Sequence, residues 1–322
     1  MISPGAAALR DRLRWTLVAA AATPADSRGQ VDLAVLERYF QGLIADGAGG
    51  LAVLAHTGRG PYWSADLRRQ VISVAVGCGV PVIVGVGGRP GETTAEVAAA
   101  AVQAADVGAD GLLVFPPGPA SDAVTRFDAV AGPDVVTRSD AVAGSDAVVH
   151  HDAVWRESGL PMLGFDLYTR PYPPGALAAL LDHPGVAGVK VARLHDAIAC
   201  QAAITTTRAA DRLSVTGEDR MFGGSLMWGA EAALVGVAAA AVPVTARVFT
   251  AYQRGAYAEF VAASARLDRL AAATFTEPME GYVQRMLWIA AAERRIPVEY
   301  AVDPYGPELP DGERARVLRA AS

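Results

Sequence analysis

Of the 28 lysine and arginine side chains in this 322-residue sequence, 27 are arginine and one is lysine, Lys190. It stands in 184-PGVAGVKVARLHD-196, at the end of the apolar run 186-VAGVK-190. A GC-rich codon bias explains the arginines and leaves the exception to be explained by chemistry. A guanidinium stays protonated in proteins. An ammonium among apolar neighbours loses hydration, so its pKa falls and some free amine exists near neutral pH. A free amine attacks a ketone to give a Schiff base, which then serves as an electron sink. The competing reading is a lysine that merely pairs with a carboxylate, and arginine does that as well or better.

The elements that must position this lysine follow from the pattern of the chain. Apolar runs at 15–21, 50–55, 81–87, 111–115, 161–165, 186–191, 213–216 and 233–238 read as strands. Helical stretches such as 32-DLAVLERYFQGLIADG-47 and 93-TTAEVAAAAVQAADVG-108 separate them, several ending in glycine. Continuous apolar strands that alternate with helices imply a parallel sheet covered on both faces. Eight such units predict a (β/α)8 TIM barrel, whose catalytic groups sit at the C-terminal ends of the strands, where Lys190 lies. A doubly wound sheet is the alternative. It is disfavoured because no G-x-G-x-x-G follows a strand, and 85-GVGGRPGE-92 lacks the spacing. Residues 1–243 are read as the barrel and 244–322 as a C-terminal helical extension, with 245–274 as its clearest helical run.

One segment breaks the pattern. Asp recurs every six residues at 122, 128, 134, 140, 146 and 152, and DAVTRFDAVAGP is nearly repeated as DVVTRSDAVAGS. A period of six suits neither a helix nor a repeat able to fold alone. The insert, at about 120–150, is therefore expected to be an expanded surface loop. A lid over the catalytic face is the functional alternative. His150, His151 and Asp152 at its end are read as solvated, and no metal is expected there.

Composition narrows the class. A net charge of −6 and 52% hydrophobic residues suit a soluble enzyme-sized domain. No basic stripe suggests nucleic acid. The longest apolar run, 233-ALVGVAAAAVPV-244, is too short for a membrane span, and the first residues lack a signal-peptide core. Two cysteines, Cys78 and Cys200, leave a reduced cytoplasm as the default.

With the lysine placed, the sequence resembles the dihydrodipicolinate synthase / N-acetylneuraminate lyase family of class I aldolases over roughly residues 12–310, the insert excepted. HPGVAGVKVARLHD is similar to the family segment hp-n-i-x-G-i-K-d, and 214-SVTGEDRMFGGSLMWGAEAALVG-236 resembles its S-G-D-D run. 277-EPMEGYVQRML-287 resembles the start of its C-terminal helical region. The resemblance implies a barrel, no cofactor, a homo-oligomer (tetramer or dimer) and a 2-oxo acid such as pyruvate carried on Lys190. It further implies that Gly217 is a close-approach glycine and that Leu234 lines the pocket. The family's G-T-T-G-E signature, which holds the substrate carboxylate, is here 55-AHTGR-59. Thr57 and Gly58 match, while His56 and Arg59 replace Thr and Glu.

The family's strand-five Y-N-x-P, whose tyrosine relays protons, falls on 165-FDLYTRP-171. Phe165 takes the tyrosine position, or Tyr168 does so under a shifted alignment. After the fourth strand, 116-PPG-118 stands where the family often shows P-Y-Y. Arg170 matches an arginine that binds a second carboxylate. A phenylalanine cannot shuttle a proton, so His56, whose ordinary pKa lies near neutrality, becomes the candidate acid/base. Tyr62 and Trp63 are expected to pack on a neighbouring subunit rather than roof the pocket.

Three functions are consistent with these residues. The first is a Schiff-base-forming lyase or aldolase acting on pyruvate or another 2-oxo acid. The second is 4-hydroxy-tetrahydrodipicolinate synthase itself, and the third a non-catalytic relative that binds a 2-oxo acid.

Overall fold

The structure, a computed structural model, describes residues 1–118 and 138–322, and side chains in the second stretch from residue 146 onward. Strands β1 (Leu17–Ala20), β2 (Gly50–Val53), β3 (Val82–Val86), β4 (Gly111–Val114), β5 (Met162–Leu167), β6 (Val186–Ala192), β7 (Leu213–Thr216) and β8 (Ala232–Val235) close in sequence order into a parallel barrel, β8 pairing with β1. All eight coincide with the apolar runs of the sequence. Every strand residue is buried, because side chains fill the barrel and helices cover its outside.

The helices are α1 (Pro4–Leu13), α2 (Leu33–Ala45), α3 (Ala65–Gly77), α4 (Thr94–Val107), α5 (Arg138–Ser158), α6 (Pro174–Leu181), α7 (Ala197–Ala209) and α8 (Phe222–Met227). Their ends carry recognisable stops. Asp32 accepts the amides of Ala34 and Val35 ahead of α2. Thr93 and Glu96 form a reciprocal capping box ahead of α4, which Gly108 ends in the left-handed region. Helix α1 has no counterpart in the sequence reading. Ala6, Leu9 and Leu13 pack into the barrel's inner cluster with Val18, Ile83, Leu113 and Leu163. The amide of Ser3 donates to Pro184 O, just ahead of β6, so α1 closes the barrel at the end opposite Lys190.

The insert departs from expectation. Residues 119–137, which hold the first half of the repeat and any lid it forms, lie outside the described residues. Residues 138–158 are not a loop but helix α5. Its inward stripe is Ala147, His150, His151 and Val154, a helical spacing that includes two histidines the sequence reading placed in solvent. The ring of His151 is tied at both ends. Its Nδ1–H donates to Ala147 O at 2.7 Å, and its Nε2 accepts from the Tyr172 hydroxyl at 3.1 Å. His150 Nδ1 lies 2.9 Å from the Thr94 hydroxyl. Burial lowers the pKa of His150 to about 4 and of His151 to about 3, so both are neutral at physiological pH. Two neutral, hydrogen-bonded imidazoles behave as core residues.

The C-terminal region is α9 (Val242–Gln253), α10 (Tyr257–Thr274), α11 (Tyr282–Ala292) and α12 (Glu313–Ala321). The single helical run expected over 245–274 is two helices, broken at Gly255 in the left-handed region. The region is locked by Arg285, whose side chain is fully buried. Its guanidinium binds Glu313 at 2.6 Å and the carbonyls of Thr274, Thr276, Glu277 and Pro278, which fixes the segment between α10 and α11. Trp63 and Tyr62 pack on this region's Tyr305, at ring separations of 4.9 and 5.0 Å.

Candidate active site

Lys190 lies in the C-terminal half of the buried strand β6, opposite Phe165 on β5 and Val215 on β7. Its side chain crosses the mouth of the barrel with Nζ 4.2 Å from the centre of the Phe165 ring. Gly217 makes room for it. A Cβ there would lie 2.6 Å from Lys190 Cε and 2.9 Å from Cγ, so any larger residue would displace the lysine. Lys190 is buried, and among the described residues it makes no ion pair. Burial lowers its pKa, while the more distant carboxylates of Asp219 and Glu218 oppose the fall. Asp219 is buried too, and burial raises its pKa although it accepts a hydrogen bond from Val237 N at 2.6 Å. A proton is therefore cheap to remove from the amine.

The lysine opens on a cavity of about 30 Å³ lined by His56, Thr57, Phe165, Leu167, Tyr168, Ala192, Leu194, Gly217, Asp219, Gly236, Phe275, Met279 and Tyr282. One water needs roughly 10–15 Å³ of such space, so the cavity suits a small ligand. Five candidates from the sequence besides the lysine meet here: His56, Thr57, Phe165, Tyr168 and Gly217. Three do not line it. Leu234 lies wholly in the barrel's inner cluster. Gly58 shapes the chain instead: a Cβ would fall 2.6 Å from Leu54 N, and its carbonyl accepts from Thr23 and from the Trp63 indole.

Arg170, expected to hold a second carboxylate, lies on a separate cavity of about 300 Å³ with Gly88, Thr93, Pro116 and His150. Its guanidinium donates to Pro116 O at 3.2 Å and Gly88 O at 3.0 Å. A tight turn, with the amide of Arg170 donating to Leu167 O, carries the side chain away from the lysine.

Two residues absent from the sequence reading organise the rim, and both come from the segment before or at the start of α11. The carboxylate of Glu280 accepts from His56 Nε2 at 3.1 Å, Arg59 Nη1 at 2.6 Å and the Tyr168 hydroxyl at 3.0 Å. Burial alone would raise its pKa, but the bonds and charges of His56 and Arg59 outweigh this and hold it well below the usual carboxylate range. Arg59, which stands in the left-handed region, also binds Asp303 at 2.8 Å. Arg59, one of the residues that depart from the G-T-T-G-E pattern, thus clamps the second-strand loop to the C-terminal region. The second is Tyr282, whose hydroxyl lies 3.0 Å from that of Thr57, its ring stacked on Phe275 at 4.7 Å. Only the run E-P-M-E-G-Y, polar groups beside a proline at a helix start, marked these residues in the sequence.

Among the described residues no cluster of His, Cys, Asp and Glu could hold a metal ion. No helix of the described residues is long and apolar enough to cross a membrane.

Comparison with known proteins bears on the same barrel. Residues 15–118 match the model of the dihydrodipicolinate synthetase family. Over these residues the chain is similar to that family. A 4-hydroxy-tetrahydrodipicolinate synthase of Acidiphilium cryptum (strain JF-5) is 30% identical over 209 residues, 60% of this chain and 62% of that protein. One from Prochlorococcus marinus (strain MIT 9303) is 43% identical over 104 residues, 31% of this chain and 33% of that protein. The matches thus span less than two thirds of these relatives' length. Among solved structures, the E. coli K12 prophage protein YagE, of the dihydrodipicolinic acid synthase family and in complex with pyruvate, superposes with a TM-score of 0.78. Its sequence identity is 19%, over 94% of this chain and 95% of that one. A sialic acid aldolase of Ruminococcus gnavus gives 0.78 at 16% identity, over 96% of both chains. These likenesses establish the barrel with its C-terminal helices.

Proposed function

We propose that this chain is a Schiff-base-forming lyase or aldolase acting on pyruvate or another 2-oxo acid. The observation that carries the reading is Lys190: a buried amine with a lowered pKa, unpaired among the described residues, at the mouth of a barrel and open to a small cavity. Its amine attacks the ketone, and the iminium withdraws electrons from C3, so that a bond to C3 or C4 is made or broken through the enamine. The backbone amides of the Thr57 loop receive the substrate carboxylate, with the Thr57 hydroxyl turned to Tyr282. His56 acts beside it, oriented by Glu280.

The families of the relatives favour a second reading, 4-hydroxy-tetrahydrodipicolinate synthesis. It is opposed by Arg170, which stands on a separate cavity, and by Phe165 in place of a phenol. The cavity wall beyond the lysine (Phe165, Leu167, Ala192, Leu194, Phe275, Met279) is largely apolar, and aldehyde partners with little charge fit it better.

The test is borohydride reduction in the presence of pyruvate and of a panel of 2-oxo acids, followed by peptide mass mapping. An adduct on Lys190 is expected. No adduct with any member would overturn the reading, and robust condensation of pyruvate with aspartate semialdehyde would favour the second. Assembly as a dimer or tetramer is part of the proposal, and sedimentation checks it.

A further inference from the structure

Schiff-base formation at Lys190 makes two proton demands that the lysine cannot meet. The carbinolamine's hydroxyl must be protonated to leave as water, and a proton must then leave C3 of the iminium to give the enamine. Phe165, the aromatic ring nearest the amine, has no proton to give. The Tyr168 hydroxyl and the Nε2–H of His56 both donate to one carboxylate, Glu280. Asp219 is fixed by the amide of Val237. One hydroxyl in the cavity wall is differently placed. Tyr282 is buried, and its one hydrogen bond among the described residues is with Thr57 Oγ1 at 3.0 Å, in which either oxygen can donate. When Thr57 donates, the proton of Tyr282 is free for the cavity.

We propose that Tyr282, at the first position of α11, is the acid and base of the Schiff-base step, replacing from the C-terminal region the phenol that β5 lacks. The proposal rests on the function given above. In the first transfer the Tyr282 hydroxyl protonates the carbinolamine oxygen. The C–O bond breaks, water departs, and an iminium–tyrosinate pair remains, with the Thr57 hydroxyl donating to the phenolate. In the second, the phenolate takes the proton from C3, the electrons of that C–H bond form the enamine double bond, and the phenol is restored. Ketone and amine become enamine and water, with no net proton exchanged with solvent. Burial pushes the Tyr282 phenol well above its usual range, so a lone tyrosinate would be disfavoured there. Forming it in the same event as the iminium pairs the two charges.

The experiment follows exchange of the pyruvate methyl protons for deuterium in D2O by NMR, with borohydride trapping in parallel, on the native chain and on Tyr282→Phe. The native chain is expected to trap on Lys190 and to exchange. Tyr282→Phe is expected to keep its melting temperature within a few degrees and to form the same adduct at long times. Its exchange should slow by about 10²-fold or more, the usual range for losing an acid/base group. Exchange within about threefold of native overturns the proposal and leaves the Lys190 reading standing. A native chain that neither traps nor exchanges overturns both. Should Tyr282→Phe fail to fold, 3-fluorotyrosine placed at 282 alone lowers the phenol's pKa while keeping its shape. The pH profile of exchange must then shift to lower pH, and an unmoved profile overturns the proposal.

Discussion

Two cations stand at the same end of this barrel in opposite circumstances. Lys190 is buried against a phenyl ring, with no described acceptor within ion-pair distance. Arg170 is half-buried on a larger cavity, and two backbone carbonyls accept its protons. Burial lowers the pKa of both, yet only one is changed chemically. The ammonium can discard its proton and become a nucleophile, whereas the guanidinium remains a cation and answers by taking hydrogen bonds. A site becomes reactive where a group able to shed its charge is denied partners, and merely structured where a permanent charge is supplied with them.

The hardest test of this contrast is Lys190→Arg. It keeps the charge and discards the nucleophile, so trapping should vanish and turnover fall by at least about 10³-fold. Retained turnover would erase the distinction between the two cavities. Asp219→Asn is expected to be milder. Asp219 helps the amine hold its proton, so removing its charge should move the rise of trapping rate with pH to lower pH. Measured at pH 6, trapping should quicken roughly three- to tenfold, and a shift to higher pH would contradict the assignment.

The wall of the Arg170 cavity supplies a stability test. His150 and His151 have folded pKa values below the ordinary 6.5, so the unfolded chain binds more protons in that window. Their contribution is present above about pH 6.5 and is lost as pH falls toward about 4 for His150 and about 3 for His151, on the order of several kcal/mol together by denaturant titration. Replacing His151 with Phe should flatten that part of the pH–stability curve. Arg170→Ala should matter least: trapping on Lys190 within about threefold, and stability lower by about 1–2 kcal/mol for the lost carbonyl bonds. A tenfold loss of trapping would join the two cavities into one site.

The barrel was legible because its strands are largely apolar on both faces, and several helices carry their own start or stop signal, as at Thr93 and Gly108. Lys190 was legible for a compositional reason, as an exception to a bias. The histidine stripe of α5 was not, because a period of six hid the helix and polar residues hid its buried face. Glu280 and Tyr282 were not, since their places depend on α11 folding back over β2, more than 220 residues away in sequence for both Arg59–Glu280 and Thr57–Tyr282. The cavity that Arg170 lines was not legible, because sequence alignment fixes a position along the chain and not the direction in which a turn sends the side chain.

The fully buried guanidinium of Arg285 ties the distal end of the polypeptide to the chemistry. It anchors the peptide run 274–278 and is itself neutralised by Glu313, in the first turn of α12. Trimming the chain before that glutamate would strand a positive charge in the interior and free the segment that presents Glu280 and Tyr282. A truncation that touches nothing near the lysine would therefore be felt as disarray at its rim, with the barrel beneath left standing.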